Sequence, residues 1–241
     1  MQDTVIRNIV RLDDELVAFF ADAAAADVHE AMGKTGAMAP GIESTAGRPE
    51  LCGLAVTARI PPGDNTMVHV ASQVAEPDDV LVFESETTRT ATWGELATRN
   101  AQRKGIGGVV SGGNIRDVAA IDELGFPVFS KAVSQSGARK EGNGSVNVPV
   151  SVGEVLVRPG DIVVGDRDGV TVVPQELALE VRAATEKRRR TEDKIQAKIE
   201  DGEPLPGILG TDELLAENDS AVVEDTVDYS QSVSQTPSPK K

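Results

Sequence analysis

Apolar and polar residues follow two regular spacings along this chain. Between residues 12 and 33, Leu16, Phe19, Phe20 and Ala23 recur at helical spacing behind an acidic first turn, which predicts a helix. Further on, short apolar runs typical of buried strands alternate with helical segments. The strands are predicted at 51–60, 80–83, 106–111 and 127–133, and the helices at 67–75, 93–104 and 117–124. This alternation predicts an α/β fold.

The last third of the chain has a different pattern. Two further strands are predicted at 152–157 and 162–173, joined by a tight Pro-Gly turn. A long, charge-dense helix follows at 175–201. We expect one domain over residues 1–217, including this helix, and a mobile, acidic and Ser-rich tail over residues 218–241.

The candidate chemistry concentrates in residues 93–117, which contain two turns that each open a helix. Glu95 stands at the start of one helix. A Gly-Gly turn is predicted at 112–113, after the strand at 106–111, and Arg116 and Asp117 then stand at the start of the next helix. Such turns lie at the mouth of an α/β sheet, where ligands usually bind. Asp117 offers a hard oxygen for Mg²⁺ or Mn²⁺, and Arg116 offers a planar fork for a carboxylate or an oxyanion. Backbone N–H groups at the first helix start form a natural carboxylate pocket, contributed by Gly94, Glu95, Leu96 and Ala97.

The same residues allow plainer interpretations. An Arg-Asp pair at a helix start also serves as a cap with a surface ion pair. Asn65, in the turn after strand 51–60, either contacts a substrate or closes an Asx turn. The GGNIRD segment at 112–117 lacks the pattern of a dinucleotide-binding or phosphate-binding loop. GDRDGV at 165–170 predicts a hairpin turn, because Leu177 stands where a calcium loop needs its closing carboxylate.

Composition narrows the range of partners. The net charge of −15 would repel nucleic acids and anionic membranes. The apolar runs are far shorter than the roughly 20 residues of a membrane span, and the N-terminal residues lack the apolar core of a signal peptide. Cys52 is the single cysteine and permits no internal disulfide. We therefore expect a cytoplasmic protein with no nucleic-acid or membrane partner. The acidic excess fits either a salt-rich cytoplasm or an ordinary acidic protein with an acidic tail.

Several segments, taken in order, resemble the RraA-like family. They are Gly-Glu at 94–95, Arg-Asp at 116–117, GFPVF at 125–129 and RPGDIVVGDRDGVTVVP at 158–174. Within that family, two more segments resemble the branch of 4-hydroxy-4-methyl-2-oxoglutarate/4-carboxy-4-hydroxy-2-oxoadipate aldolases, namely DVHEAMGKTGAMAPGI at 27–42 and PPGDN at 61–65. The resemblance extends over residues 15–203.

The resemblance implies an α/β/β/α sandwich of the swivelling-domain (RraA-like) type. It also implies assembly as a homotrimer or a dimer of trimers, with active sites between subunits. The implied reaction is divalent-metal-dependent class II aldol cleavage of a 4-hydroxy-2-oxo diacid to pyruvate and a second 2-oxo acid. Decarboxylation of oxaloacetate is expected as a side activity, because it uses the same enolate chemistry.

The resemblance also assigns roles to individual residues. Asp117 would hold the Mg²⁺ or Mn²⁺ ion, directly or through water, and the backbone of Gly94–Ala97 would bind the substrate carboxylate. Arg116 would neutralise charge that develops on the enolate or on the C4 hydroxyl oxygen. Three glutamates, the last of them from a neighbouring subunit, would order the water that shuttles protons: Glu95, Glu30 and Glu192.

Three departures from the family pattern bear on the substrate. The family commonly has Asp where this chain has Glu95, and Asp-Gly where it has Gly112-Gly113. The segment around Glu192 resembles the family in helical register more than in identity. A dedicated oxaloacetate decarboxylase and an RraA-type protein that regulates a ribonuclease by binding therefore remain alternatives. A swivelling domain that carries a phosphohistidine would need a histidine in an exposed turn, and neither His29 nor His69 is predicted in one.

Overall fold

The computed structural model describes residues 3–85, 89–220, 222 and 226. The helices are α1 Asp14–Ala21, α2 Ala25–Ala31, α3 Thr66–Val74, α4 Glu95–Lys104, α5 Val118–Leu124, α6 Ala178–Glu200, α7 Leu205–Leu209 and α8 Thr211–Glu217. The strands are β1 Glu43–Ala46, β2 Leu51–Ile60, β3 Val80–Ser85, β4 Ala91–Trp93, β5 Gly108–Ile115, β6 Val128–Val133, β7 Ser145–Val146, β8 Val150–Val152, β9 Val155–Val157, β10 Ile162–Asp166 and β11 Gly169–Val173.

The main sheet curls until its two edges nearly meet. Its strands lie in the order β1-β6-β5-β3-β2-β10-β11, while β4 pairs with β5, β7 pairs with β2, and β8 and β9 form a separate hairpin. Strands β2, β3, β5 and β6 run parallel, as expected for strands joined by helical crossovers. Just before β1, Ala37 forms a bridge to Thr171 of β11. The result is a nearly closed, barrel-like sheet in a mixed α/β fold.

Three apolar cores define the layers. Side chains of β2 alternate between the inner core and the outer cores. Leu51 and Ala55 point into the barrel, whereas Leu54 and Val56 point outward. The inner core is closed by the β8–β9 hairpin. Outside, α3, α4 and α5 cover one part of the sheet, and α1, α2 and the first turns of α6 cover another. This arrangement of helices, sheet, sheet and helices confirms the predicted α/β/β/α fold class.

The predicted helix at 12–33 is wrong as a single element, because it is two helices. α1 ends at Ala21 and α2 begins at Ala25. A carboxylate from a distant strand explains the break, since Asp166 Oδ2 accepts the N–H of Ala25 at 2.8 Å. This tertiary hydrogen bond satisfies a helix-start N–H that local sequence alone leaves open.

The predicted Gly-Gly turn after strand 106–111 is also wrong. Gly112 and Gly113 lie inside β5, which continues to Ile115 because its end pairs with β4 and β6. A Cβ on Gly112 would stand 3.1 Å from the carbonyl oxygen of Phe83, so the glycine serves close strand packing.

The predicted strand at 152–157 is in fact the β8–β9 hairpin, which turns at Gly153 and Glu154, both with positive φ. The hairpin turn predicted at 165–170 is confirmed between β10 and β11.

The chain divides into two compact units, Met1–Arg188 and Arg189–Lys241. α6 begins in the first unit and ends in the second, which also contains α7 and α8. The predicted domain boundary at residue 217 stays a prediction, and most of the predicted tail lies outside the described residues. None of the described helices combines the length and the apolar character needed to cross a membrane.

An ion pair between a partly exposed arginine and a buried carboxylate fixes the segment before α1 to the entrance of β3. Arg11 donates from both terminal nitrogens to the two carboxylate oxygens of Asp79 at 2.8 Å, and Asp79 is 1% exposed. Asp79 also accepts the N–H of Glu76 at 2.7 Å. Because the carboxylate is buried, removal of its bidentate partner leaves an uncompensated charge and costs more stability than breaking a surface ion pair does.

We predict that Arg11→Met lowers the free energy of unfolding by about 2–3 kcal/mol, because Asp79 is left as a buried charge without its partner. Urea denaturation measures the loss. Arg158→Met, which breaks an exposed pair with Glu176, is the matched control and should change stability by about 1 kcal/mol or less. Equal losses in the two variants would contradict the role assigned to the pair of Arg11 and Asp79.

Candidate active site

Most of the predicted site residues border one cavity of about 180 Å³. The end of β4, the start of α4 and the turn that opens α5 form one side. Asn65 and His69 line a second side, and Gly137, Ala138 and Lys140 line a third. A larger cavity of about 770 Å³ opens beside β1 and the β10–β11 turn, but no predicted site residue lines it.

Asp117 and Arg116 meet the start of α4 at this cavity. Asp117 precedes α5 with a left-handed backbone, at φ 59°. Its Oδ2 accepts the N–H of Glu95 at 3.1 Å and lies 3.5 Å from Nε of Arg116. Its Oδ1 has no hydrogen bond within the described residues. A non-glycine residue in this backbone region stores strain, which is common at functional sites.

Two glycines make room for these side chains. A Cβ on Gly94 would stand 2.6 Å from Asp117 Oδ2 and 3.0 Å from Cγ of Arg116. A Cβ on Gly137 would stand 2.8 Å from Nη1 of Arg116. The Arg116 side chain therefore passes between two backbone segments that approach closely because neither carries a side chain.

Trp93 stabilises the start of α4 through hydrogen bonds that pass by way of Thr98. Its indole Nε1 donates to Thr98 Oγ1 at 2.8 Å, and that hydroxyl donates to the carbonyl of Gly94 at 3.1 Å. The indole stacks on Phe126, with ring centroids 6.3 Å apart. Thr98 also donates its backbone N–H to the Gly94 carbonyl at 3.0 Å. The N–H groups of Leu96 and Ala97, in the open first turn, remain available to an anion.

Asn65 does not close the Asx turn that its position allowed. Its side chain makes no cap hydrogen bond to α3, and Asp64 accepts the N–H of Thr66 in its place at 2.7 Å. Asn65 Nδ2 instead donates to the carbonyl of Thr92 at 3.2 Å. Its Oδ1 is buried without a hydrogen-bond partner in the part of the chain that the structure describes. Because a buried polar atom usually has a partner, this oxygen favours a ligand at the cavity.

Sequence reasoning missed His69 and Lys140 as residues of the site. His69 belongs to the helix predicted at 67–75 and Lys140 to a stretch with no predicted element, but both line the cavity. Partial burial lowers the pKa of His69, the positive charge of Lys140 lowers it further, and Asp64 opposes the shift. Among the described lining residues, two carry a positive charge, Arg116 and Lys140, and one carries a carboxylate, Asp117. The cavity therefore favours an anionic ligand although the protein carries a net charge of −15.

Of the three glutamates predicted to order water, neither Glu95 nor Glu30 is among the residues that line the cavity. The carboxylate of Glu95 pairs with Arg99 along α4 at 2.8 Å. Glu30, on α2, is 3.7 Å from Arg188 and 3.8 Å from Lys34, and it is not among the residues that line the cavity. Glu192 belongs to the second unit. The catalytic roles of these glutamates stay predictions.

Among the described residues that line the cavity, Asp117 is the one that offers a carboxylate for a metal ion. Among the described residues, no group of three or more His, Cys, Asp or Glu side chains is arranged to hold a metal. Mg²⁺ commonly uses one or two carboxylates and keeps several waters and substrate oxygens. Asp117 Oδ1 and the partial exposure of the side chain, 40%, fit that mode of binding. A closed cage of protein ligands does not fit.

The family is shown by comparison with known proteins. A family model described as RraA-like, Aldolase/RraA, matches residues 25–172. A Halalkalibacterium halodurans protein, provisionally named a 4-hydroxy-4-methyl-2-oxoglutarate aldolase, is 37% identical over 153 residues, which cover 63% of this chain and 73% of that protein. The chain therefore belongs to the RraA-like family.

Two further relatives illustrate the functions named within the family. The 4-hydroxy-4-methyl-2-oxoglutarate aldolase of Thermus thermophilus is 32% identical over 134 residues, covering 55% of this chain and 81% of that protein. A solved structure, described as the RNA-processing inhibitor RraA from Thermus thermophilus, is 30% identical with a TM-score of 0.60 and covers 64% of this chain and 94% of that one. Family membership alone therefore leaves the activity to be argued from the site.

We predict that His69 titrates below the ordinary histidine pKa of 6.5 and that Lys140→Ala raises this pKa, because it removes a positive charge that opposes protonation. The imidazole proton shifts, followed by NMR from pH 4 to 8, measure both values. Lys187→Ala, a lysine on α6 outside the cavity, is the control and should leave the titration unchanged. A His69 pKa that is the same with and without Lys140 would contradict the electrostatics described for the cavity.

Proposed function

We propose that this protein is a divalent-metal-dependent aldolase that cleaves a 4-hydroxy-2-oxo diacid, of the 4-hydroxy-4-methyl-2-oxoglutarate type, to pyruvate and a second 2-oxo acid. The observation that carries the proposal is the contact of Arg116, Asp117 and the N–H of Glu95 at one cavity. It brings a metal-binding carboxylate, a guanidinium and a helix start within reach of one small anion. The names of relatives support the same class of reaction.

The cavity suits the pyruvyl half of such a substrate. The N–H groups of Leu96 and Ala97 are placed to bind the C1 carboxylate, as helix starts bind anions. The guanidinium of Arg116 lies beside Asp117 and is 46% exposed along its side chain, so a bound 2-oxo acid can reach it. The chemistry that a divalent ion held by Asp117 supplies is polarisation of the 2-oxo group.

The reaction breaks the bond between C3 and C4. The C4 hydroxyl loses its proton and becomes the carbonyl of the second product, and the bonding electron pair passes to C3 to give the enolate of pyruvate. Protonation at C3 then gives pyruvate. Arg116 stabilises the negative charge that develops on oxygen during this step. The enolate also forms when oxaloacetate loses carbon dioxide, so we propose oxaloacetate decarboxylation as a side activity.

Proton transfer requires a base and an acid near C4 and C3. We propose that water held by Glu95, Glu30 and Glu192 performs both transfers, as the family resemblance implies. Because Glu95 pairs with Arg99 in one chain, its carboxylate must turn away from that partner to act. Glu192 would act from a neighbouring subunit of a homotrimer or a dimer of trimers.

A binding protein that regulates a ribonuclease is the second candidate, and the similarity to an RNA-processing inhibitor supports it. Such a protein needs no cavity with a strained aspartate and an arginine confined between two glycines. The presence of that arrangement in this chain favours an enzyme.

We predict that Asp117→Asn abolishes metal-dependent pyruvate release from 4-hydroxy-4-methyl-2-oxoglutarate and from oxaloacetate, because the amide keeps the shape but loses the charge. A coupled assay for pyruvate, with and without Mg²⁺ or Mn²⁺, measures the effect. Asp168→Asn, in the β10–β11 turn, is the matched control and should retain activity. Normal Mg²⁺-dependent turnover by Asp117→Asn would exclude Asp117 as the metal ligand.

We predict that Gly94→Ala lowers turnover on the order of 10²-fold, because the new methyl group displaces Asp117 and Arg116 from their contact. Gly41→Ala is the control, since a Cβ at Gly41 meets no atom within 4 Å. The pyruvate assay is run on both variants beside thermal denaturation. Equal activity in the two variants would show that the close approach at Gly94 is unimportant to the reaction.

A further inference from the structure

Two turns of the same sequence, Pro-Gly-Asp, carry buried aspartates in this fold. They are residues 62–64 and 159–161, and in each the glycine has a positive φ, 81° at Gly63 and 90° at Gly160. Both aspartates are 3% exposed. Asp161 accepts the N–H of Arg158 at 2.7 Å and that of Gln175, which follows β11, at 3.0 Å. Asp64 differs, because it binds the more distant segment 137–142, part of which lines the cavity.

Asp64 joins its own turn to that segment through its two oxygens. Oδ1 accepts the N–H of Thr66 at 2.7 Å, and Oδ2 accepts the N–H of Glu141 in a short hydrogen bond. Beside them, Thr66 Oγ1 accepts the N–H of Gly142 at 3.0 Å. We call these side-chain contacts the clasp. The two acceptor side chains, Asp64 and Thr66, are separated by one residue in the sequence. They bind a segment that lies more than 70 positions further along the chain.

Backbone hydrogen bonds continue the contact toward the cavity. The N–H of Arg139 donates to the carbonyl of Gly63 at 2.7 Å, and the N–H of Asn65 donates to the carbonyl of Arg139 at 3.1 Å. Asn65 itself lines the cavity. The clasp therefore ends directly behind one wall of the candidate active site.

The clasped segment forms the wall on which Arg116 rests. Gly137, Ala138 and Lys140 line the cavity. The distance from a Cβ at Gly137 to Nη1 of Arg116 would be only 2.8 Å, so the backbone at Gly137 limits the space that the guanidinium can occupy. If this segment moves outward, the guanidinium gains freedom and the cavity loses a wall.

We infer that Asp64 is a positioning residue of the active site, which acts through segment 137–142 to fix the Arg116 guanidinium and the Lys140 wall. A carboxylate suits this role because it presents acceptors on both oxygens, and two backbone N–H groups point at them. Asparagine at the same place offers one carbonyl oxygen and turns an NH₂ group toward the other donor. The effect that we infer for turnover rests on the proposed function.

The test compares Asp64→Asn with Asp161→Asn in the full chain. Both variants change a buried Pro-Gly-Asp carboxylate that accepts two backbone N–H groups. The fold lowers the pKa of Asp64 and raises that of Asp161, so Asp64→Asn should lose more thermal stability, and both assays are run well below the two melting temperatures. Two measurements separate them. The first is the rate of trypsin cleavage after Arg139 or Lys140, identified by mass spectrometry. The second is kcat and KM for pyruvate release from 4-hydroxy-4-methyl-2-oxoglutarate.

We expect Asp64→Asn to raise cleavage at these two sites on the order of 10-fold, because the segment opens locally without global unfolding. We expect its kcat to fall on the order of 10-fold or more, because Arg116 is no longer fixed. Asp161→Asn should match the wild type in both. Cleavage and kcat that are the same in Asp64→Asn and Asp161→Asn would overturn the inference.

A second variant keeps the inference testable if Asp64→Asn does not fold. It also leaves the charge of the clasp unchanged. Thr66→Val keeps the size and the net charge but deletes the acceptor for Gly142. It should produce the same changes in smaller measure, and wild-type cleavage with wild-type kcat would overturn the inference. Absence of pyruvate release by the wild type would overturn the proposed function instead, while the cleavage rates still decide whether the clasp fixes the segment.

Discussion

The candidate site depends on one hydrogen bond, from the N–H of Glu95 to the carboxylate of Asp117. It joins the start of α4 to the turn that opens α5, two places that are separated along the chain but come together where β4 and β5 end. Gly94 permits this contact, because any side chain there would occupy the position of the carboxylate. Arg116 is then confined beside Asp117, and a guanidinium, a carboxylate and an open helix start face one cavity. The anion-binding character of the site follows from this contact.

Much of the fold could be predicted from spacing alone, for a physical reason. The parallel strands β2, β3, β5 and β6 are buried on both faces, so their sequences are short continuous apolar runs that stand out between helices. The elements that were predicted wrongly depend on distant residues. α1 and α2 separate where Asp166 caps Ala25, and Gly112 continues a strand where its composition indicated a turn.

In the candidate site, too, some residues could be predicted from the local sequence and others depend on distant contacts. Arg116 and Asp117 were predictable because charged residues at a helix start after an apolar run are conspicuous. His69 and Lys140 were not, because nothing local marks a helix histidine or a loop lysine as part of a cavity wall. Their proximity arises from the contact between the turn at 61–66 and the segment 137–142, which are paired only in the folded chain. The direct role of Asn65 was left open by the sequence, and its buried Oδ1 now favours ligand contact.

The central claim is that this cavity forms the enolate of pyruvate, and it can be tested without knowing the physiological substrate, because every candidate substrate contains the pyruvyl half. The measurement is exchange of the methyl protons of pyruvate with deuterated water, followed by NMR with and without Mg²⁺. We expect the wild type to catalyse the exchange only with the metal, and Asp117→Asn to be inactive. The absence of exchange by the folded wild type, or equal exchange by Asp117→Asn, would contradict the claim.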